Sequence, residues 1–113
     1  MNRELAATAL KDTVSAYRAI TRWLTWCDGL TAAKVASGLY ESAEYDTALS
    51  ISVERVYMAA NKRPAMPKKD RKYRMYDDAY RAASIAGLDV APGSIRDLAG
   101  IADVIARVTA ALA

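Results

Sequence analysis

The chain has 113 residues, enough for one domain with a core of its own, and its 53% hydrophobic and 26% charged residues exclude a disordered composition. A single cysteine, Cys27, and no histidine exclude an internal disulfide, His-based catalysis and most transition-metal sites, and make a reducing cytoplasm the expected compartment. The net charge of +3 is unevenly spread: residues 62–74 hold Lys62, Arg63, Lys68, Lys69, Arg71, Lys72 and Arg74 against Asp70 alone.

The opening Met1-Asn2-Arg3-Glu4 does not begin a signal peptide, because Lys11 and Asp12 interrupt the apolar run. No apolar stretch approaches the roughly 18 residues of a membrane span, so no membrane partner is expected. Residues 2–27 predict a first helix. Ala6, Leu10, Tyr17, Ile20 and Leu24 fall on one arc, with Leu5, Ala9, Ala16, Trp23 and Cys27 beside them. Glu4, Lys11, Ser15, Arg18 and Arg22 line the other side. Asn2 is the expected cap, and Asp28-Gly29 the expected stop, since glycine takes the left-handed conformation at a helix end without strain.

Thr31 is placed to cap a second helix over 31–60, along which Val35, Leu39, Leu49, Val53, Val56 and Ala60 form an apolar stripe. Ser37-Gly38 weakens its middle, and Ser42 and Asp46 sit on the stripe where apolar residues belong. The favoured expectation is one bent helix, the alternative a break near 38–46. Pro64 and Pro67 bias the residues before them away from helix and mark a linker over 61–67. A third helix is predicted over 68–86, opened by Pro67 or Asp70 and closed by Gly87. Pro92-Gly93 signals a turn. The fourth helix, 94–112, opens on Ser94-Ile95-Arg96-Asp97, a variant capping box, and Leu98, Ile101, Ile105, Val108 and Leu112 give the clearest amphipathic spacing in the chain. The expected fold is therefore all-α, a bundle-like single domain of four helices, or five if the second breaks.

Few residues suggest chemistry. Glu41 and Glu44 stand three apart and could share Mg²⁺ on a helix. All-α nucleotide pyrophosphohydrolases add a second Glu-x-x-Asp pair, which is missing here: three residues after Glu54 stands Tyr57. Cys27, near the end of the first predicted helix, has its thiolate opposed by the helix dipole and reads as structural. No phosphate-binding glycine loop or nucleophile elbow is present. Asp46 is either a buried, partnered carboxylate or the cap of a segment beginning at Thr47. No enzyme, catalytic residue, metal or cofactor is expected.

The basic segment is the main anomaly. On the third helix Arg71, Arg74 and Arg81 share a face, and Tyr73, Tyr76 and Tyr80 share the opposite, core-directed one. The pairs Arg74–Asp78 and Asp77–Arg81 would hold the arginines on a solvated face. Basic residues in a first helical turn oppose the helix dipole, a broken local rule of the kind found at functional sites. Ala83 to Gly87 followed by Ser94 has the residue order of a helix-turn-helix, but the turn is too long and the last helix nearly neutral. Trp26 falls among Arg18 and Arg22, so a large ring lies on a polar face; either Asp28 to Lys34 or a partner covers it, with Arg22 able to stack on it.

The expected function is that of a small non-enzymatic protein docking on an acidic protein surface through Lys68, Lys69, Arg71, Lys72, Arg74 and Arg81, with Trp26 and Arg22 as further contacts. The profile is similar to that of small accessory or inhibitor proteins of mobile elements. The alternative is a nucleic-acid-binding module using residues 62–74. A homo-oligomer is compatible with either.

Overall fold

The computed structural model describes residues 1–41, 43–91 and 93–113. The expectations attached to Ser42 and Pro92 lie outside the described residues. The fold is all-α, with four helices: α1 (Arg3–Ala36), α2 (Thr47–Ala60), α3 (Arg71–Ile85) and α4 (Leu98–Leu112). The chain divides into two compact units, one of residues 1–20 and 67–113, the other of residues 21–66.

Several ends follow from local chemistry. The Asn2 carboxamide accepts from Leu5 N–H at 3.1 Å and starts α1. Asp46, in extended conformation, accepts from Leu49 N–H at 3.0 Å and starts α2. The cap reading of Asp46 is therefore the one the structure takes, and the single bent helix over 31–60 is corrected to a break across 37–46. Gly87, with φ 78°, closes α3 through bonds from Gly87 N–H to Ser84 O and Leu88 N–H to Ala83 O.

The end of α1 corrects the expected stop. The helix continues through Asp28-Gly29 to Ala36 and is closed by Gly38, which takes φ 78° with the same paired bonds, Gly38 N–H to Val35 O and Leu39 N–H to Lys34 O. Within the helix Gly29 leaves room for Tyr57: a Cβ there would collide with the Tyr57 hydroxyl. Thr31 caps nothing; its hydroxyl donates back to Cys27 O at 3.1 Å, as mid-helix threonines do. At the other end, α4 starts at Leu98, not at 94, because Asp97 is the cap and accepts from Gly100 N–H at 2.8 Å. Ser94 instead donates to Ala91 O at 2.6 Å, and Ile95 packs onto the core.

The unit of 1–20 and 67–113 holds the hydrophobic core. Ala9, Ala16 and Ile20 of α1 meet Met75, Ala79, Ala82 and Ala83 of α3, Ala86 just beyond it, and Ile101, Val104 and Val108 of α4. The buried stripe of α3 is almost wholly alanine, which lets helices approach to the short end of the usual 8–10 Å range. Buried Thr13 satisfies its hydroxyl on Ala9 O at 2.7 Å.

The unit of 21–66 is an antiparallel helix pair. Lys34 bonds Glu54 at 2.6 Å near one end, and near the other the Tyr57 hydroxyl donates to Trp26 O at 2.8 Å while the Trp26 indole donates to Asn61 O at 3.1 Å. The Glu54 hydrogen bond raises the Lys34 pKa above its ordinary 10.5, outweighing the opposing effect of burial. That contribution is fully present below the ordinary value and is lost only as pH rises through the folded one. Among the described residues of this unit, only Leu39 and Ser50 are buried. The stripe expected over 35–60 is corrected accordingly: Val35, Val56 and Ala60 are exposed, and Leu49 and Val53 half-buried.

Candidate partner-binding surface

The entry to α3 gathers the basic residues that remain open. Lys68 and Lys69 precede the helix and Lys72 lies in its first turn; all three are exposed, and none has a side-chain hydrogen bond or ion pair among the described residues. The helix start lacks a side-chain cap. Asp70 occupies the cap position but makes no cap bond, and its carboxylate pairs instead with Arg74 at 2.7 Å. Three lysines therefore surround an uncapped, electropositive helix end. The Asp70–Arg74 pair is largely solvated and worth about 0–1 kcal/mol.

The rest of the expected basic face is modified. Arg71 is half-buried and donates to the Ser15 hydroxyl at 3.1 Å, so it is committed to α1 and not to an open face with Arg74. Arg81 is exposed. Among the described residues neither Arg74–Asp78 nor Asp77–Arg81 closes as an ion pair; Arg74 pairs with Asp70 instead. Tyr73 is corrected most strongly. It was expected to face the core but is 69% exposed, and only Tyr76 and Tyr80 are half-buried. The alanines Ala79, Ala82, Ala83 and Ala86 fill the core stripe, and Tyr73 lies across the helix from Met75, which heads it.

Lys62 and Arg63 belong to the 21–66 unit. There the Trp23 and Trp26 rings stack at 5.6 Å, Tyr57 meets Trp26 edge-on at 5.5 Å, and the Arg63 guanidinium lies over both indoles at 5.3 and 5.7 Å. Of the two covers expected for Trp26, the 28–34 segment or a partner, the first is corrected: Tyr57, Asn61 and Arg63 pack on the ring, and the stacking cation is Arg63, not Arg22. Half-buried and hydrogen-bonded, Trp26 reads as part of the packing of this unit. The sequence shows Arg63 only as a member of the basic segment and Tyr57 as no site residue at all, because their aromatic partners Trp23 and Trp26 lie at least 31 residues away.

Other candidates disperse. Glu41 and Glu44 lie in the 37–46 connection and not on one helical face. No group of three or more His, Cys, Asp or Glu among the described residues could hold a metal ion. Cys27 is half-buried in the middle of α1, so the helix-end argument about its thiolate no longer applies. No helix of the described residues is long and apolar enough to cross a membrane. Burial, then the Asp12 carboxylate, raises the Asp78 pKa above its ordinary 3.8. A carboxylate shifted upward penalises the native state at neutral pH, and the penalty vanishes below the ordinary value. Asp78→Asn is therefore expected to raise the thermal midpoint at pH 7, with the difference closing as pH falls toward 3.8 in melts followed by circular dichroism.

Comparison with known proteins finds no matching family model and no significantly similar curated protein or solved structure.

Proposed function

We propose that the chain is a small non-catalytic binding protein that docks on an acidic protein surface through Lys68, Lys69 and Lys72, with Arg74 and Arg81 further along the same helix. The observation that carries this reading is the unpartnered lysine trio around the uncapped start of α3. A protein working this way acts by occupying a partner's surface, which is how an accessory or inhibitor protein in the cytoplasm would act. Opposite charge on the partner would steer encounter and fix register more than it would add affinity.

The same arrangement carries a stability consequence. A lysine in the first turn opposes the helix dipole, so Lys72→Glu should stabilise the isolated protein by about 0.3–1 kcal/mol. Urea unfolding checks this, and the gain should shrink in high salt. A stabilising change that the native sequence forgoes, at an exposed position, supports selection for the charge itself.

A second reading, nucleic-acid binding, is favoured by Tyr73. This exposed ring lies one residue from Lys72 and four residues from Lys69 in sequence, a combination suited to stacking a base beside neutralised phosphates. A labelled acidic peptide and a single-stranded oligonucleotide of matched charge separate the two. The protein reading expects the peptide to bind and K68E/K69E/K72E to abolish binding, with Tyr73→Ala leaving oligonucleotide affinity unchanged. Oligonucleotide binding that Tyr73→Ala weakens, with a steep salt slope, would favour the second reading.

A further inference from the structure

The 21–66 unit presents a surface that the lysine trio does not explain. A helix pair normally buries its apolar residues against a further layer. Here Ile51, Val56 and Met58 of α2 are exposed, Val56 to 70%. The only charged residues of α2 are Glu54 and Arg55, and Glu54 is held by Lys34. The outward side of α2 therefore carries Ala48, Ile51, Ser52, Val56 and Ala59 around one charge, Arg55.

The charge around this face is ordered along the helix axis. Between residues 35 and 54 every charged residue is acidic: Glu41, Glu44, Asp46 and Glu54. Between 55 and 66 every one is basic: Arg55, Lys62 and Arg63. Because the pair is antiparallel, Arg22 and Asp28 of α1 lie toward the basic end and Lys34, held by Glu54, toward the acidic one, and the unit as a whole is neutral. A neutral surface, acidic at one end and basic at the other, complements itself when turned end for end.

We propose that α2 packs antiparallel against α2 of a second copy of this chain, about a two-fold axis through the middle of the helix. Such an interface uses the same patch on both copies. Full overlap sets Thr47 of one copy against Ala60 of the other. It then sets Ala48 against Ala59, Ile51 against Val56, and Arg55 against Ser52, with one arginine on either side of the two-fold axis. The small residues at 48, 52 and 59 permit close approach of the helices. The acidic loop end of each copy meets the basic end of the other, whereas a parallel pairing would stack like charge on like.

Sedimentation velocity on the full chain across a concentration series tests this. The wild type is expected to sediment at twice the 12.3 kDa chain mass, and Val56→Lys as a monomer with unchanged circular dichroism. Val56 is exposed enough that lysine should not disturb the fold; Ile51→Lys is the second variant and should give the same loss. In a Cys27→Ser background, Ile51→Cys with Val56→Cys should cross-link two copies on oxidation, while Thr25→Cys on α1 should not. A wild type that stays monomeric, a dimer that survives both lysine variants, or a dimer without the 51–56 cross-link would each overturn the proposal. None of these readouts involves the α3 lysines, so the result is independent of the acidic-partner reading.

Discussion

Ile101→Ala is expected to destabilise the fold by about 2–5 kcal/mol, the range for truncating a fully buried aliphatic side chain. Ile101 is completely buried in the cluster formed by α1, α3 and α4. The same cluster contains Ala79, Ala82, Ala83 and Ala86, which have no rotatable side chain with which to fill a cavity. Against a typical domain stability of about 5–15 kcal/mol, such a loss is a large share. Urea unfolding should show a lower midpoint at unchanged slope. The comparison is Val35→Ala, at a 54% exposed position, where the loss should stay near about 0.5 kcal/mol.

Gly29→Ala is expected to reverse the ordinary helix rule. In an unobstructed helix interior, alanine stabilises relative to glycine by about 1 kcal/mol. Here the new Cβ would sit 2.3 Å from the Tyr57 hydroxyl, which donates to Trp26 O. Tyr57 must move, giving up that bond and its edge contact with Trp26 at 5.5 Å. The expected outcome is a loss of about 1–3 kcal/mol, the range for overpacking. Removing the obstructing atom should relieve it. In a Tyr57→Phe background the nearest remaining ring atoms lie at 3.1 and 3.3 Å, distances a small ring shift accommodates. Gly29→Ala should there be close to neutral, and the non-additivity in a double-mutant cycle measures the contact directly. Equal losses in both backgrounds would mean that Gly29 is needed for a reason other than Tyr57.

The two glycines at 29 and 38 show what the sequence discloses and what it conceals. Asp28-Gly29 and Ser37-Gly38 both satisfy local criteria for a helix end, and nothing within ten residues says which is used. What sets Gly29 apart is its surroundings: Tyr57, 28 residues further on, occupies the space a side chain there would need. Ends controlled by adjacent residues, such as the Asn2 cap, the Asp46 cap and Gly87, are legible because their partners lie within five residues. The α4 stripe is legible for a similar reason: Ile101 and Val108 are large, regularly spaced and fully buried. On α3 the same logic misleads, since the large tyrosines draw the eye while small alanines line the core. An alanine stripe signals close helix packing, but only once a neighbouring helix is in view.

For the candidate surface, the excess of basic residues is plain in the sequence, and its division is not. Lys62 and Arg63 belong to one unit, Arg71 is drawn to Ser15, and Arg74 to Asp70. What remains open is Lys68, Lys69 and Lys72, with Arg81 further along. Charge counting along a sequence cannot distinguish these, because each depends on which acceptor folding brings within reach. Trp26 illustrates the converse: its polar helical neighbours leave a partner anchor and a ring covered by the chain itself equally open, and Arg63, Tyr57 and Asn61 pack on it.

The most direct test of the docking role is capture from a nuclease-treated lysate of the cells that make the protein, with wild type and K68E/K69E/K72E compared side by side. Both baits should first show the same circular dichroism, since exposed substitutions at a helix entry leave the fold intact. An acidic protein is expected to be retained by the wild type after nuclease treatment, eluted by moderate salt, and absent from the variant. A partner captured equally by both baits, or material lost on nuclease treatment alone, would contradict the docking role.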